Sequence, residues 1–264
     1  MPSRIPRVTK TVAIVLKSRR LGDADRIITL LTPFRGKIDV IAKGLLRPRS
    51  KMAGHLEPLT MTEVLLAHGR TMDLVTQAQS VETFAVLHND LQHLSTAMYL
   101  LELTDRLTVE HADATEIYEI LERSLRALAR EDGIQLVTRR FELDLLTVTG
   151  FRPELDRCLE TGEPVAADEA FWTHRGGGVI SSDALANYPE ARKIDSHVLR
   201  VLRAYQSLSY EEASRIRIDP DLAGRLEQVM HEFVRTQAER DLKSAEFVEE
   251  SRRVSLGVDA ESDA

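Results

Sequence analysis

Lys43, Arg47, Arg49 and Lys51 stand within ten residues, KGLLRPRSKM (43–52), around a proline and with no acid among them. Such a group makes and breaks no bonds; its chemistry is to hold a polyanion. A guanidinium meets phosphate through two parallel N–H donors, and an ammonium acts on it as a point charge. Most charge runs are solvated faces, so the surroundings must decide. Residues 1–51 carry 13 Lys and Arg against three Asp, a net of +10. Residues 52–264 carry 22 against 39 Asp and Glu, a net of −17. This split points to two parts with different partners, the first attracting phosphates and the second repelling them.

Other reactive constellations are missing. The sequence contains no G-x-x-x-x-G-K-[ST], no G-x-G-x-x-G and no G-x-S-x-G. HEFVR (231–235) begins like a zinc-protease helix but has Arg235 where the second histidine belongs. His88 and His93, five apart, do not share a helix face well. The carboxylates do not cluster as a Mg²⁺-dependent nuclease requires. The sole cysteine, Cys158, excludes an internal disulfide, fits a reduced, cytoplasmic setting, and reads as structural. Apolar runs are short, so neither a signal peptide nor a membrane span is expected.

The basic stretch must be held by the elements around it. Residues 10–19, 25–32, 36–44, 59–67 and 71–82 read as strands, β-branched and apolar with glycines at the bends. Val12, Ile14 and Leu16 share one face of the first; Ile38, Val40 and Ala42 alternate with Lys37, Asp39 and Lys43 in the third. Five short strands in this span predict a five-stranded OB-fold barrel over residues 1–83, with an SH3-like barrel reading almost the same. From residue 84 to about 250 the period is helical, which makes the chain α+β. Ile117, Leu121, Leu125 and Leu128 form one stripe, with Asp113 or Thr115 as its cap; Val137, Phe141, Leu145 and Val148 form another, ended by Gly150. Asp219 and Pro220 start a late helix with Leu222, Leu226, Met230 and Phe233 inward. An insert at 153–192 contains a Gly176–Gly178 hairpin turn, and 251–264 is polar and acidic, hence expected to be disordered.

Residues 22–60, GDADRIITLLTPFRGKIDVIAKGLLRPRSKMAGHLEPLT, closely resemble the N-terminal domain of the RecO family of bacterial recombination mediators. G-x-A-D-R-I, LLT followed by GKI, AKG, RPRS and G-x-LEP occur in order and at the family's spacing. The resemblance continues through TQAQSVETF and FELDLLTVTGFRPELDRC, covering residues 10 to about 245. It implies an OB-fold followed by a helical domain, binding to single- and double-stranded DNA, and annealing of complementary strands. It also implies loading of RecA together with RecR, and often RecF, onto DNA coated by single-strand-binding protein, whose acidic C-terminal tail such proteins bind. The family often carries a zinc knuckle, Cys-x-x-Cys, a Gly-Gly hairpin, then Cys-x-x-Cys. Here Cys158, Thr161, Ser181 and Ala184 occupy those positions, so no zinc and no other cofactor is expected. Phe171, Trp172 and Val179 would then hold the insert together.

On such a barrel Lys17, Arg19, Arg20, Lys37, Lys43, Arg47, Arg49 and Lys51 are the expected DNA contacts. Phe34 is the only aromatic of the first 80 residues, so binding should be electrostatic and sequence-blind rather than built on stacking. Arg26 would pair with Asp23 and Asp25 or meet a partner such as RecR. Arg200, Arg203, Arg215 and Arg217, beside Leu199, Leu202, Tyr205 and Tyr210, would receive the acidic tail unless they belong to an ordinary amphipathic helix. An RNA- or tRNA-binding OB module with a helical dock is the alternative, and a nucleic-acid enzyme a third reading.

Overall fold

The computed structural model describes residues 8–130 and 133–255, without the side chains of 240–255. Five strands close a barrel in the order β1-β2-β3-β5-β4. They are β1 (Val8–Leu21), β2 (Asp25–Thr32), β3 (Gly36–Ala42), β4 (Met61–Ala67) and β5 (Asp73–Glu82). All ladders are antiparallel except β3 with β5, which is the OB arrangement.

Alternation builds the barrel interior. Ala13, Val15, Ile28, Leu30, Ile38, Val40, Ala42, Val64, Leu66 and Val75 fill it, joined by Leu45 and Leu56 from the β3–β4 loop. In β1 the inward face is therefore Ala13 and Val15. Ile14 and Leu16 are buried as well, outside that cluster, and Val12 is half-buried. The single apolar face expected from Val12, Ile14 and Leu16 is the outer one, because β1 is covered on both sides. Gly36 turns β2 into β3 at φ +62°, and a Cβ there would lie 1.8 Å from the Ala112 carbonyl oxygen. This hairpin is thus clamped against the segment leading to the second helix.

Three helices belong to the same compact unit, which ends at Thr149: α1 (Leu91–Leu107), α2 (Thr115–Ala129) and α3 (Ile134–Val148). Asp90 caps α1, accepting the His93 N–H at 2.9 Å. At α2 neither expected cap takes that position; Ala114 does, while Asp113 accepts the Thr115 N–H at 3.0 Å. Leu121, Leu125 and Leu128 are buried as expected, with Ile117 half-buried, and Gly150 at φ +85° follows the end of α3.

The second compact unit starts at Gly150. It contains a small antiparallel sheet of β6 (Phe171–Thr173), β7 (Gly178–Ile180) and β8 (Arg192–Lys193), in the order β7-β6-β8. Trp172 and Val179 are buried in it, and Trp172 meets Phe233 edge-on at 5.4 Å. The helices are α4 (Ser196–Ser207), α5 (Tyr210–Ala213) and α6 (Pro220–Ser255). Asp219 accepts the Leu222 N–H at 2.8 Å, and Leu226, Met230 and Phe233 face inward. Helix α6 runs through residues 251–255, the start of the expected acidic tail; residues 256–264 lie outside the described residues. Among the described residues no helix is long and apolar enough to cross a membrane.

Candidate nucleic-acid interface

The basic loop leaves β3 at the end of the barrel where β1 turns into β2. Two hydrogen bonds join them: Gly44 N–H to Asp25 Oδ1 at 2.7 Å, and Leu46 N–H to the Ala24 carbonyl at 2.9 Å. Leu45 and Leu56 enter the barrel core, and Met52 and Ala53 pack against it. Between these anchors Arg47, Arg49 and Lys51 are exposed. Arg20 lies opposite Arg26 in the β1–β2 ladder, and Arg26 opposite Ala42, immediately before Lys43. Arg20, Lys43, Arg47, Arg49 and Lys51 thus gather at one barrel end, and none of them forms an ion pair among the described residues.

The other three expected contacts are already engaged. Lys17 Nζ lies 2.5 Å from Asp105 Oδ2. Lys37 Nζ donates to the Asp105 carbonyl at 2.5 Å, lies 3.4 Å from Oδ1, and its side chain is only 12% exposed. Arg19 pairs with Asp39 at 2.5 Å, and the Thr29 hydroxyl donates to the other Asp39 oxygen. These residues lie on the outer β1–β2–β3 face. In OB-folds the β2–β3 surface and its flanking loops commonly receive oligonucleotides. Here the outward-facing Thr29 and Leu31 are 2% and 0% exposed. Asp105 of α1 grips the lysines, His111 N–H donates to the Lys37 carbonyl, and the Thr115 hydroxyl donates to the Pro33 carbonyl. The chain's own helices occupy that face, which leaves the loop end for a polyanion.

Arg26 is half-buried and donates to Ser18 Oγ at 2.9 Å. Its expected pairing with Asp23 and Asp25 does not form; Asp25 Oδ1 accepts the Gly44 amide.

In the second unit the expected cationic-apolar neighbourhood is divided between surface and core. Arg200 and Arg217 are exposed, and Arg215 pairs with Glu211 one turn away. Leu199, Leu202 and Tyr205 are buried and offer no docking surface. Arg203 donates to the Leu155 and Val165 carbonyls, both at 2.8 Å, and meets Asp156 at 3.1 Å. It staples the 155–165 segment to α4. Replacing Arg203 by Met is therefore expected to lower stability by about 3 kcal/mol, two charge-assisted hydrogen bonds, in a urea melt. Charge reversal there would disturb the fold and could not report cleanly on a bound peptide.

Cys158 is buried beside Ser181, whose N–H donates to Sγ at 3.4 Å and whose hydroxyl lies 3.5 Å away. Burial works against the thiolate. The Ser181 hydroxyl and the N–H groups of Ser181, Thr161 and Glu160 outweigh it and hold the pKa down to about 6 against an ordinary 9.0. Because the folded pKa is the lower one, the stabilisation is complete above pH 9.0, shrinks as pH falls, and is gone below about 6. Thiolate absorbance in the folded protein should titrate near that lower value, and Cys158→Ser should remove the stability gained across this interval. Zinc does not suit the surroundings: one thiol, two hydroxyls (Thr161, Ser181) and a methyl (Ala184) cannot supply four N or S ligands.

Comparison with known proteins adds a family. Residues 7–84 match the model for the recombination protein O N terminal, and residues 88–246 that for its C terminal. A relative from Heliobacterium modesticaldum is 35% identical over 247 residues, 92% of this chain and 90% of its own length. One from Roseiflexus sp. is 34% identical over 248 residues, 94% and 87% of the two chains. One from Desulforudis audaxviator is 35% identical over 240 residues, 90% and 95%. All three are named DNA repair protein RecO.

Proposed function

The chain belongs to the RecO family, and from that premise we propose that it is a non-catalytic DNA-binding mediator of recombinational repair. It grips the phosphate backbone of single- and double-stranded DNA, brings complementary strands together, and helps RecR, with RecF, load RecA onto DNA coated by single-strand-binding protein. The observation that carries the reading is the set of five exposed cations at one barrel end, Arg20 on β1 and four on the loop locked beside it, none of them in an ion pair among the described residues, while α1 and its following loop cover the usual OB surface. Coulomb attraction to phosphate needs no stacking aromatic and reads no base. That suits a protein that must hold any strand and release it. The repair role comes from the names of the relatives; the annealing and loading steps are what the family resemblance implies.

Binding and annealing of complementary DNA oligomers, measured across a salt series, test the proposal. RNA oligomers of the same sequence separate it from the RNA-binding alternative: equal or stronger annealing of RNA would favour that alternative. Absence of DNA binding at low salt would remove the proposal altogether.

The 153–192 segment is, on the same reading, a knuckle that holds its shape without metal. Its hairpin, the Trp172–Phe233 contact and the hydrogen bonds to Cys158 Sγ supply the cohesion. Metal analysis of the purified chain should find no stoichiometric zinc. The acidic tail of single-strand-binding protein and RecR belong to the proposal as partners; of the four arginines expected to receive the tail, Arg200 and Arg217 are exposed, Arg215 is exposed but paired with Glu211, and Arg203 is tied to backbone carbonyls, while in the barrel Arg26 is only half-exposed.

A further inference from the structure

We propose that Asp25 is a positioning residue for phosphate binding: although negative and next to the basic loop, it strengthens the grip on DNA by fixing that loop's backbone. The inference rests on the DNA-binding reading above. Asp25 opens β2, and its Oδ1 accepts the Gly44 N–H at 2.7 Å. The neighbouring Ala24 carbonyl accepts the Leu46 N–H at 2.9 Å. Between these two bonds Leu45 is buried in the barrel core. The start of the basic loop is thereby fastened at three successive residues.

The cations inherit that order. Gly44 sits at φ +65°, a conformation open to glycine and strained for other residues. A Cβ at this position would meet Arg47 Cδ at 3.3 Å, so the Arg47 side chain lies back over the glycine. Arg47 N–H donates to the Gly44 carbonyl at 3.1 Å, and Ser50 N–H to the Arg47 carbonyl at 2.9 Å. Where Gly44 goes, Arg47 and the turn carrying Arg49 follow. Asp25 itself pairs with no Lys or Arg among the described residues, so its charge is directed at a backbone amide rather than at a cation that would meet DNA.

Simple electrostatics gives the opposite sign. Deleting an anion beside a cationic patch raises attraction for a polyanion. Positioning lowers it, because side chains that are no longer pre-ordered must be ordered on binding. The two effects separate in one experiment on the full chain: fluorescence anisotropy with labelled single-stranded DNA at several salt concentrations. Asp25→Ala should bind roughly five- to tenfold more weakly than wild type despite its more positive charge. Asp25→Asn, whose amide oxygen still accepts from Gly44, should bind at least as tightly as wild type. Amide hydrogen exchange at Gly44 and Leu46 should accelerate in the alanine variant and stay slow in the asparagine variant. An alanine variant as tight as wild type, or an asparagine variant as weak as alanine, would overturn the proposal. Should Asp25→Ala fail to fold, Asp25→Glu takes its place: it keeps the charge but moves the carboxylate off the Gly44 amide, so weaker binding with faster Gly44 exchange upholds the inference and wild-type binding ends it. Wild-type protein that ignores DNA, or holds it without salt sensitivity, would instead refute the DNA-binding reading, before any variant is compared.

Discussion

Reversing Lys43, Arg47, Arg49 and Lys51 together to glutamate is expected to abolish DNA binding at moderate salt while leaving the melting temperature nearly unchanged. All four side chains are exposed and none holds an ion pair among the described residues, so the fold loses little. The structure also sets the wild-type salt dependence. With Arg20 there are five available cations, while Lys17 and Lys37 share Asp105 and Arg19 pairs with Asp39. Five phosphate contacts give a slope of log K against log salt of about −4.5 on duplex and about −3.5 on single strands. A fourfold rise in salt then costs roughly two to three decades in affinity. Eight contacts would give slopes steeper than about −5 on either. A measured slope in the steeper range would mean that DNA displaces Asp105 and Asp39 and that the helices move off the β2–β3 face. A slope near zero in the wild type would exclude backbone neutralisation as the source of binding.

The sequence and the structure part company where one residue's role depends on another far along the chain. The barrel was legible because alternation in β3 is local: Ile38, Val40 and Ala42 lie inside, and Lys37 and Asp39 outside. The Asp219 cap, the Gly176–Gly178 hairpin and the basic loop are also short-range signals. Lys37 is different. Its period-two position marks it as outward-facing, which is correct, but outward here means toward Asp105, 68 residues away. Nothing in the local pattern distinguishes a solvated cation from one held under a helix. The same holds for Arg203, whose two carbonyl partners are 48 and 38 residues distant. Asp39 was the available clue for Arg19, since it shares the outer face of the neighbouring strands. Cations near acids on the same face are poor candidates for phosphate contact; the loop, with no acid within its ten residues, was the better signal.

The largest expected loss of stability lies where no charge run pointed. Glu142, in the middle of FELDLL, is fully buried in α3 and pairs with Arg139, itself 5% exposed, at 3.2 Å. The Tyr99 hydroxyl of α1 donates to the same carboxylate oxygen at 2.7 Å. Burial, and then the Glu142 charge, hold the Tyr99 phenol far above its ordinary pKa, so it stays a donor throughout the accessible pH range. Glu142→Ala leaves the Arg139 guanidinium buried without this carboxylate and strips Tyr99 of its acceptor, at an expected cost of about 3–5 kcal/mol in urea denaturation. Glu142→Gln keeps an acceptor for Tyr99 and should lose less. The double change Arg139→Met with Glu142→Leu removes both charges at once and should recover much of the loss, since a buried ion pair often stabilises no more than well-packed apolar residues of similar volume. A double variant as unstable as Glu142→Ala would show that the pair supplies more than compensation for its own desolvation. In each variant that folds, DNA affinity and its salt slope should match the wild type, because the carboxylate holds α3 to α1 and contributes nothing to the barrel's basic end. The loop variants should show the reverse, with stability kept and binding lost. A Glu142 variant that folds yet binds DNA weakly would tie the helices to the phosphate grip and break that separation.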